Sequence, residues 1–159
     1  MEVPYLSVQD LLDYLRAFNS RDYAAQHAFY APDIELVIPD PEIGTLVGSA
    51  GVMKHYNVVH ADAEENVIPL VVLSDRGNVF LQMESYFRYL KATNQTVHGY
   101  TVVPGDVTKI SCCALYELDK GNKMKRITCF LFKQEKLGQV DVEERIRDTE
   151  SRAQPDLKL

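Results

Sequence analysis

Val8-Gln9-Asp10-Leu11-Leu12-Asp13-Tyr14-Leu15-Arg16-Ala17-Phe18 sets apolar side chains at Val8, Leu11, Leu12, Leu15 and Phe18, the three- and four-residue spacing of an amphipathic helix. Ser7 ahead of it, with acidic Asp10 in the first turn, has the chemistry of an N-cap. Asn19-Ser20-Arg21 breaks the pattern. The stretch from Asp22 to Tyr30 reads as a second helix that stops before Pro32, because the residue preceding a proline resists helical geometry. Ile34-Glu35-Leu36-Val37-Ile38 then alternates and is β-branched, which is a strand signal. A loop punctuated by Pro and Gly follows from Pro39 to Gly48. Val52, Tyr56 and Val59 next share one face of a third helix running from Ser49 to Ala63.

The rest of the chain reads as strands: Ile68 to Leu73, Val79 to Tyr89, Lys109 to Leu118 and Arg126 to Phe132. Turn residues Asp75-Arg76-Gly77-Asn78 and Asp119-Lys120-Gly121-Asn122 separate them. The long mixed segment from Ala92 to Asp106, with Gly99, Pro104 and Gly105, is a candidate lid over a cavity mouth. Beyond Gly138 the charges alternate through Asp141-Val142-Glu143-Glu144-Arg145-Ile146-Arg147, predicting a partly ordered helix and then a disordered polar tail around Gln154-Pro155-Asp156. The expected organisation is one α+β domain over residues 1–137 with a charged helix and tail over residues 138–159.

The composition bounds the function. A chain of 159 residues with 46% hydrophobic and 25% charged residues is an ordinary globular domain, neither disordered nor fibrous. With 17 basic and 23 acidic residues the net charge is −6, which argues against a nucleic-acid partner. No run approaches the roughly 20 apolar residues that span a bilayer, and the start MEVPYLSVQD lacks the basic and apolar stretches of a signal peptide, so a cytoplasmic protein without a membrane partner is expected. Three Cys, two of them adjacent at Cys112 and Cys113, imply no disulfide framework. His55 and His60 stand five residues apart and so point away from one another on a helix, giving no two-histidine metal face; no metal and no cofactor are expected.

Three helices near the N-terminus and a curved, mostly antiparallel sheet are the element order of the cone-shaped NTF2-like superfamily, and the chain resembles it from Val8 to Phe132. Val8 to Tyr14, Asn19-Ser20-Arg21-Asp22, Phe29-Tyr30-Ala31-Pro32-Asp33, Asp40-Pro41 and Gly48 to Tyr56 resemble ketosteroid isomerase. Val103-Pro104-Gly105-Asp106-Val107 and Leu118 to Lys123 resemble the SnoaL-like polyketide cyclases. The first resemblance implies that Tyr14, Asp40, Tyr30 and Tyr56 build a catalytic pocket. Ala114 stands where ketosteroid isomerase carries a second, protonated acid, so steroid isomerisation itself does not follow. The resemblance further implies a homodimer joined through the outer face of the sheet.

The residue types suit a cofactor-free proton shuttle. A carboxylate such as Asp40 on an apolar wall can serve as general base toward a carbon acid, since desolvation disfavours the charged form. A phenol opposite, Tyr14, can donate to the developing enolate, polarised by Tyr30 and Tyr56. The expected substrate is a small, hydrophobic, oxygenated metabolite of polyketide or terpenoid type, turned over by isomerisation or cyclisation, with dehydration or epoxide opening ranked lower. Either face of the strand from Val79 to Tyr89 could line the cone: inward, Glu84 is a second acid or base; outward, it pairs with Arg88. By the family register Tyr116, and on the last strand Phe130 and Phe132, line the pocket, and His98 in the lid is a further proton carrier. The alternative is a non-catalytic binding or dimerisation module, in which Asp40-Pro41 is a turn and the tyrosines are core residues.

Overall fold

The computed structural model describes residues 2–96 and 99–159. Helix α1 (Val8–Asn19) opens on the expected cap: Ser7 accepts the Asp10 backbone N–H at 3.0 Å, and the Asp10 carboxylate accepts the Ser7 N–H at 2.9 Å. Leu11, Leu12, Leu15 and Phe18 are buried, so the predicted stripe is the packed one. Helix α2 (Tyr23–His27), capped by Asp22, is shorter than the pattern suggests. Tyr30, expected to end that helix, instead begins strand β1 (Tyr30–Val37). A short β2 (Thr45–Val47) lies in the expected loop, and α3 (Gly48–Asp62) follows.

Strands β3 (Ala63–Asp75), β4 (Asn78–Tyr89), β5 (Val107–Leu118) and β6 (Met124–Gly138) complete a sheet in the order β2-β1-β6-β5-β4-β3. Every neighbouring pair is antiparallel except β1 with β6. The β3–β4 hairpin turns on Arg76 and Gly77, both with positive φ (49° and 78°), the geometry that matches the right-handed twist of the two strands. Register shifts at Pro69/Val71 on β3 and at Ser111/Cys112 and Glu117/Leu118 on β5 bend the strands. The concave face packs on α1 and α3, and one cluster of buried side chains from Leu6 to Leu157 fills that interface. The fold is the expected α+β arrangement, with the sheet left open.

Helix α4 (Val142–Arg152), capped by Asp141, lies on the convex side, where Ile68, Tyr86 and Val107 meet Val142 and Ile146. The tail after it is held in place, contrary to the disorder expected of its polar sequence. The Gln154 backbone N–H donates to Leu70 at 2.9 Å, its side-chain carbonyl accepts the Val72 N–H at 3.1 Å, and Leu157 is buried. Two backbone-like bonds to β3 and the apolar anchors Leu157 and Leu159 offset the cost of ordering the segment. Among the described residues, no helix is long and apolar enough to cross a membrane.

Candidate active site

Between α1, α3 and the concave face lies a cavity of about 620 Å³. Its walls are largely apolar, and the β1–β2 loop, with Pro39, Pro41 and Glu42 exposed to solvent, forms part of its rim. Tyr14, from the buried face of α1, lines it and places its hydroxyl 2.8 Å from the Tyr30 hydroxyl. Tyr30 stands one layer behind, where the amide of fully buried Gln26 donates to it at 2.9 Å. Gln26, Tyr30 and Tyr14 thus form a hydrogen-bonded row that ends at the cavity, each bond polarising the next. Tyr116 from β5 sets its ring edge-on to Tyr14 at 5.8 Å. Tyr56 from α3 lines the cavity through ring contacts, edge-on to Phe18 at 5.2 Å and stacked on His60 at 5.3 Å.

Burial pushes the phenols of Tyr14, Tyr56 and Tyr116 well above their ordinary range, and neighbouring phenols add to this for Tyr14. Burial likewise pushes the Cys129 thiol up to about 12. These groups stay protonated at neutral pH, so they act as donors and not as bases. Carboxylates and imidazoles remain for proton acceptance.

Asp40 lies at the mouth, half-buried in the loop that follows β1. Its side chain accepts the Glu42 backbone N–H at 2.9 Å, and its carbonyl accepts Gly44 N–H at 2.8 Å. Asp40 and Tyr14 line the same cavity, one at its entrance and one inside. The Asp40-Pro41 pair is therefore both a turn and a cavity wall.

Three expectations need correction. Phe130 and Phe132 are 55% and 61% exposed and stand on the outer face. On β6 the inward residues are Ile127, Cys129 and Leu131, because they pair with Tyr116, Ala114 and Cys112 across an antiparallel ladder, and directly paired residues share a face. An error of one residue in register moved the whole set. Glu84 also faces away from the cavity: on β4 the inward set is Met83, Ser85 and Phe87. Its carboxylate is buried under α4, where Arg152 (2.8 Å), Lys109 (3.1 Å) and Thr149 all reach Oε2. Burial alone would push that carboxyl up, but these donors outweigh it and hold it down to about 2. Arg88, the partner expected for Glu84 in the outward case, pairs with Glu64 at 2.7 Å. His98 lies outside the described residues; Thr96 and Gly99 beside it reach the cavity edge.

The sequence reading missed Glu65. This carboxylate is 6% exposed and lines the cavity from β3. Its Oε1 lies 3.0 Å from His60 Nε2, and its Oε2 accepts the Ser85 hydroxyl at 3.1 Å. His60 Nδ1 in turn lies 2.8 Å from the Tyr23 hydroxyl. The signal was parity. With the strand beginning at Ala63 rather than Ile68, Ala63, Glu65 and Val67 alternate inward, and Glu65 faces Phe87 on β4. His55, also on the cavity wall, is kept neutral by burial, which pushes its imidazole down. Among the described residues, no group of three or more His, Cys, Asp or Glu side chains gathers in a way that could hold a metal ion.

Solved structures share this fold. A candidate polyketide cyclase from Pseudomonas putida superposes with a TM-score of 0.64 at 18% identity, over 89% of this chain and 97% of its own. TerC, co-crystallised with polyporic acid, superposes with a TM-score of 0.59 at 16% identity, over 90% of this chain and 97% of its own. A computationally designed 17-OHP binder does so with a TM-score of 0.60 at 12% identity, over 86% of this chain and 98% of its own. No curated protein matches the sequence. The SnoaL-like domain matches residues 11–127, the span that holds most of α1, all of α3, the loop after β1 and the first four residues of β6, and the chain belongs to that family within the NTF2-like superfamily.

Proposed function

We propose that the protein is a cofactor-independent isomerase or cyclase that moves a proton alpha to a carbonyl of a small, hydrophobic, oxygenated substrate of polyketide or terpenoid type. The observation that carries this reading is the row Gln26–Tyr30–Tyr14 ending in an open, mostly apolar cavity that a carboxylate also lines. A cavity carboxylate takes the proton, and Asp40 at the mouth is the one the family resemblance marks. Tyr14 donates to the oxygen on which the negative charge develops, a donor already oriented before the reaction. Tyr116 and Tyr56 supply walls on which a flat ring can rest. Polyporic acid in TerC and the 17-OHP ligand of the designed binder support an apolar, oxygenated occupant. The reading includes a cytoplasmic homodimer joined through the outer face of the sheet, where Phe130 and Phe132 stand exposed; sedimentation as a monomer at micromolar concentration contradicts that part.

The test is the exchange of the hydrogens alpha to the carbonyl of 1-tetralone for deuterium, followed by proton NMR. The protein should accelerate exchange above buffer, and Tyr14→Phe should lower the acceleration by about 10²- to 10³-fold, the usual effect of removing one such donor. Equal exchange in buffer and in protein sinks the reading.

A further inference from the structure

Within that shuttle, we propose that the base is Glu65. The inference rests on the functional reading above and names the group that does its proton transfer. Three features of its placement carry it. The carboxylate is buried among apolar walls yet lines the cavity, so a substrate carbon can reach it while bulk water is largely kept away. Both of its oxygens are held, Oε1 by His60 and Oε2 by Ser85, which fixes its direction before substrate arrives. Each oxygen still has a lone pair free, because a carboxylate accepts about four hydrogen bonds and the structure shows one at each oxygen. Asp40, by contrast, sits at the open end with its side chain engaged in its own turn, a place suited to meeting the outer end of a substrate.

His60 and Tyr23 act through Glu65 as positioning residues. The Glu65 oxygen 3.0 Å from Nε2 calls for a proton on that nitrogen, and the tautomer protonated there leaves Nδ1 to accept from the Tyr23 hydroxyl at 2.8 Å. The half-exposed Tyr23 thereby sets the tautomer of a histidine that holds the base. This is the logic of a catalytic triad, with a carboxylate in the place of the nucleophile.

The step balances within the chain and the substrate. The C–H bond alpha to the carbonyl breaks, and its proton forms an O–H bond on Glu65. The electron pair moves into the new C=C bond while the carbonyl π pair becomes the lone pair of an enolate oxygen, which accepts from Tyr14. Glu65 then returns the same proton to a different carbon of an isomerising substrate, or the enolate carbon attacks an electrophilic carbon of a cyclising one and the proton goes to the oxygen released there. The titratable groups facing Glu65 are His60, His55 and Tyr56 from α3, Tyr89 from β4, Cys112 from β5 and Cys129 from β6. Burial keeps His55 neutral, and the phenols and thiols in this set are likewise held in their neutral forms.

The experiment is the 1-tetralone exchange assay on the full chain. Glu65→Gln should lose about 10²- to 10⁴-fold of the acceleration, the usual contribution of a positioned base. Glu65→Asp keeps the charge that His60 faces, and hence the fold, and should lose at least about tenfold because the carboxylate is withdrawn from the substrate. Tyr23→Phe should lower kcat with KM unchanged. If wild-type protein exchanges and both Glu65 variants exchange as fast, the assignment is overturned and the functional reading stands with its base elsewhere. If wild-type protein does not exchange, the functional reading itself is overturned, and the base with it.

Discussion

Replacing Glu84 with Gln removes one charge from beneath α4 and keeps the shape of the side chain. Glu84 Oε2 accepts from Arg152 at 2.8 Å, from Lys109 at 3.1 Å and from Thr149. The amide still offers one acceptor oxygen, so what disappears is the charge-assisted part of two bonds, about 1 kcal/mol each relative to neutral bonds. The Lys109 side chain is only 17% exposed and loses its near partner, while Arg152, 44% exposed, is screened by water and counts for less. A loss of about 2 kcal/mol follows, or a fall in Tm of about 4–8 °C for a chain of this size. The pH dependence is the sharper reading. The folded carboxyl titrates at about 2 against 4.5 for the free group, so its stabilisation is complete above 4.5 and fades as pH falls toward 2. Urea denaturation followed by circular dichroism should therefore show the full cost of Glu84→Gln at pH 7 and a much smaller one at pH 3. A cost below about 0.5 kcal/mol at pH 7, or one unchanged between the two pH values, refutes the reasoning.

Other consequences are open to test. Deleting residues 154–159 removes the Leu157 anchor and two bonds to β3, and should cost about 2 kcal/mol in urea denaturation after the regained chain entropy is allowed for; an unchanged midpoint would show that the tail carries no stability. Burial pushes the thiol of Cys129 up to about 12 and that of Cys112 further still, and both line the cavity, whereas Cys113 does not; at pH 8 a disulfide reagent should modify Cys113 first, with the other two reacting more slowly. Rapid reaction of two thiols in the folded protein contradicts this. Gly77→Ala puts a side chain at φ 78° in the β3–β4 turn and should cost about 1 kcal/mol, read as a lowered Tm; no change would mean that the turn relaxes.

Much of this fold could be read from residue types, and the failures have local causes. The stripe from Leu11 to Phe18, the Ser7 cap and the Arg76-Gly77 turn are short-range features, set by side chains within a few residues, and they stand as read. The family resemblance led to Tyr14 and Asp40, which line one cavity. Long-range register was not legible. Whether Phe130 or Cys129 points inward depends on which β5 residue it faces, and the register shift at Ser111/Cys112 lies inside that pairing. Glu65 was lost for a related reason. Glu64-Glu65-Asn66 is polar and follows a helix, so nothing in composition separates a strand with one buried acid from a solvated linker. Only His60 and Ser85, brought to it by α3 and β4, make a buried carboxylate tolerable there. The tail was misread because its apolar anchors, Leu157 and Leu159, are two isolated leucines in a polar run.

The central claim is that chemistry occurs in the cavity under the sheet. Cys129→Phe fills that space from β6 and leaves every proposed donor and acceptor in the sequence. The decisive measurement is the rate of 1-tetralone hydrogen exchange in wild-type protein, in Cys129→Phe of confirmed fold, and in buffer. Acceleration by the wild type that falls to the buffer rate in Cys129→Phe is the predicted result. A wild type no faster than buffer, or a filled cavity as fast as an open one, contradicts it.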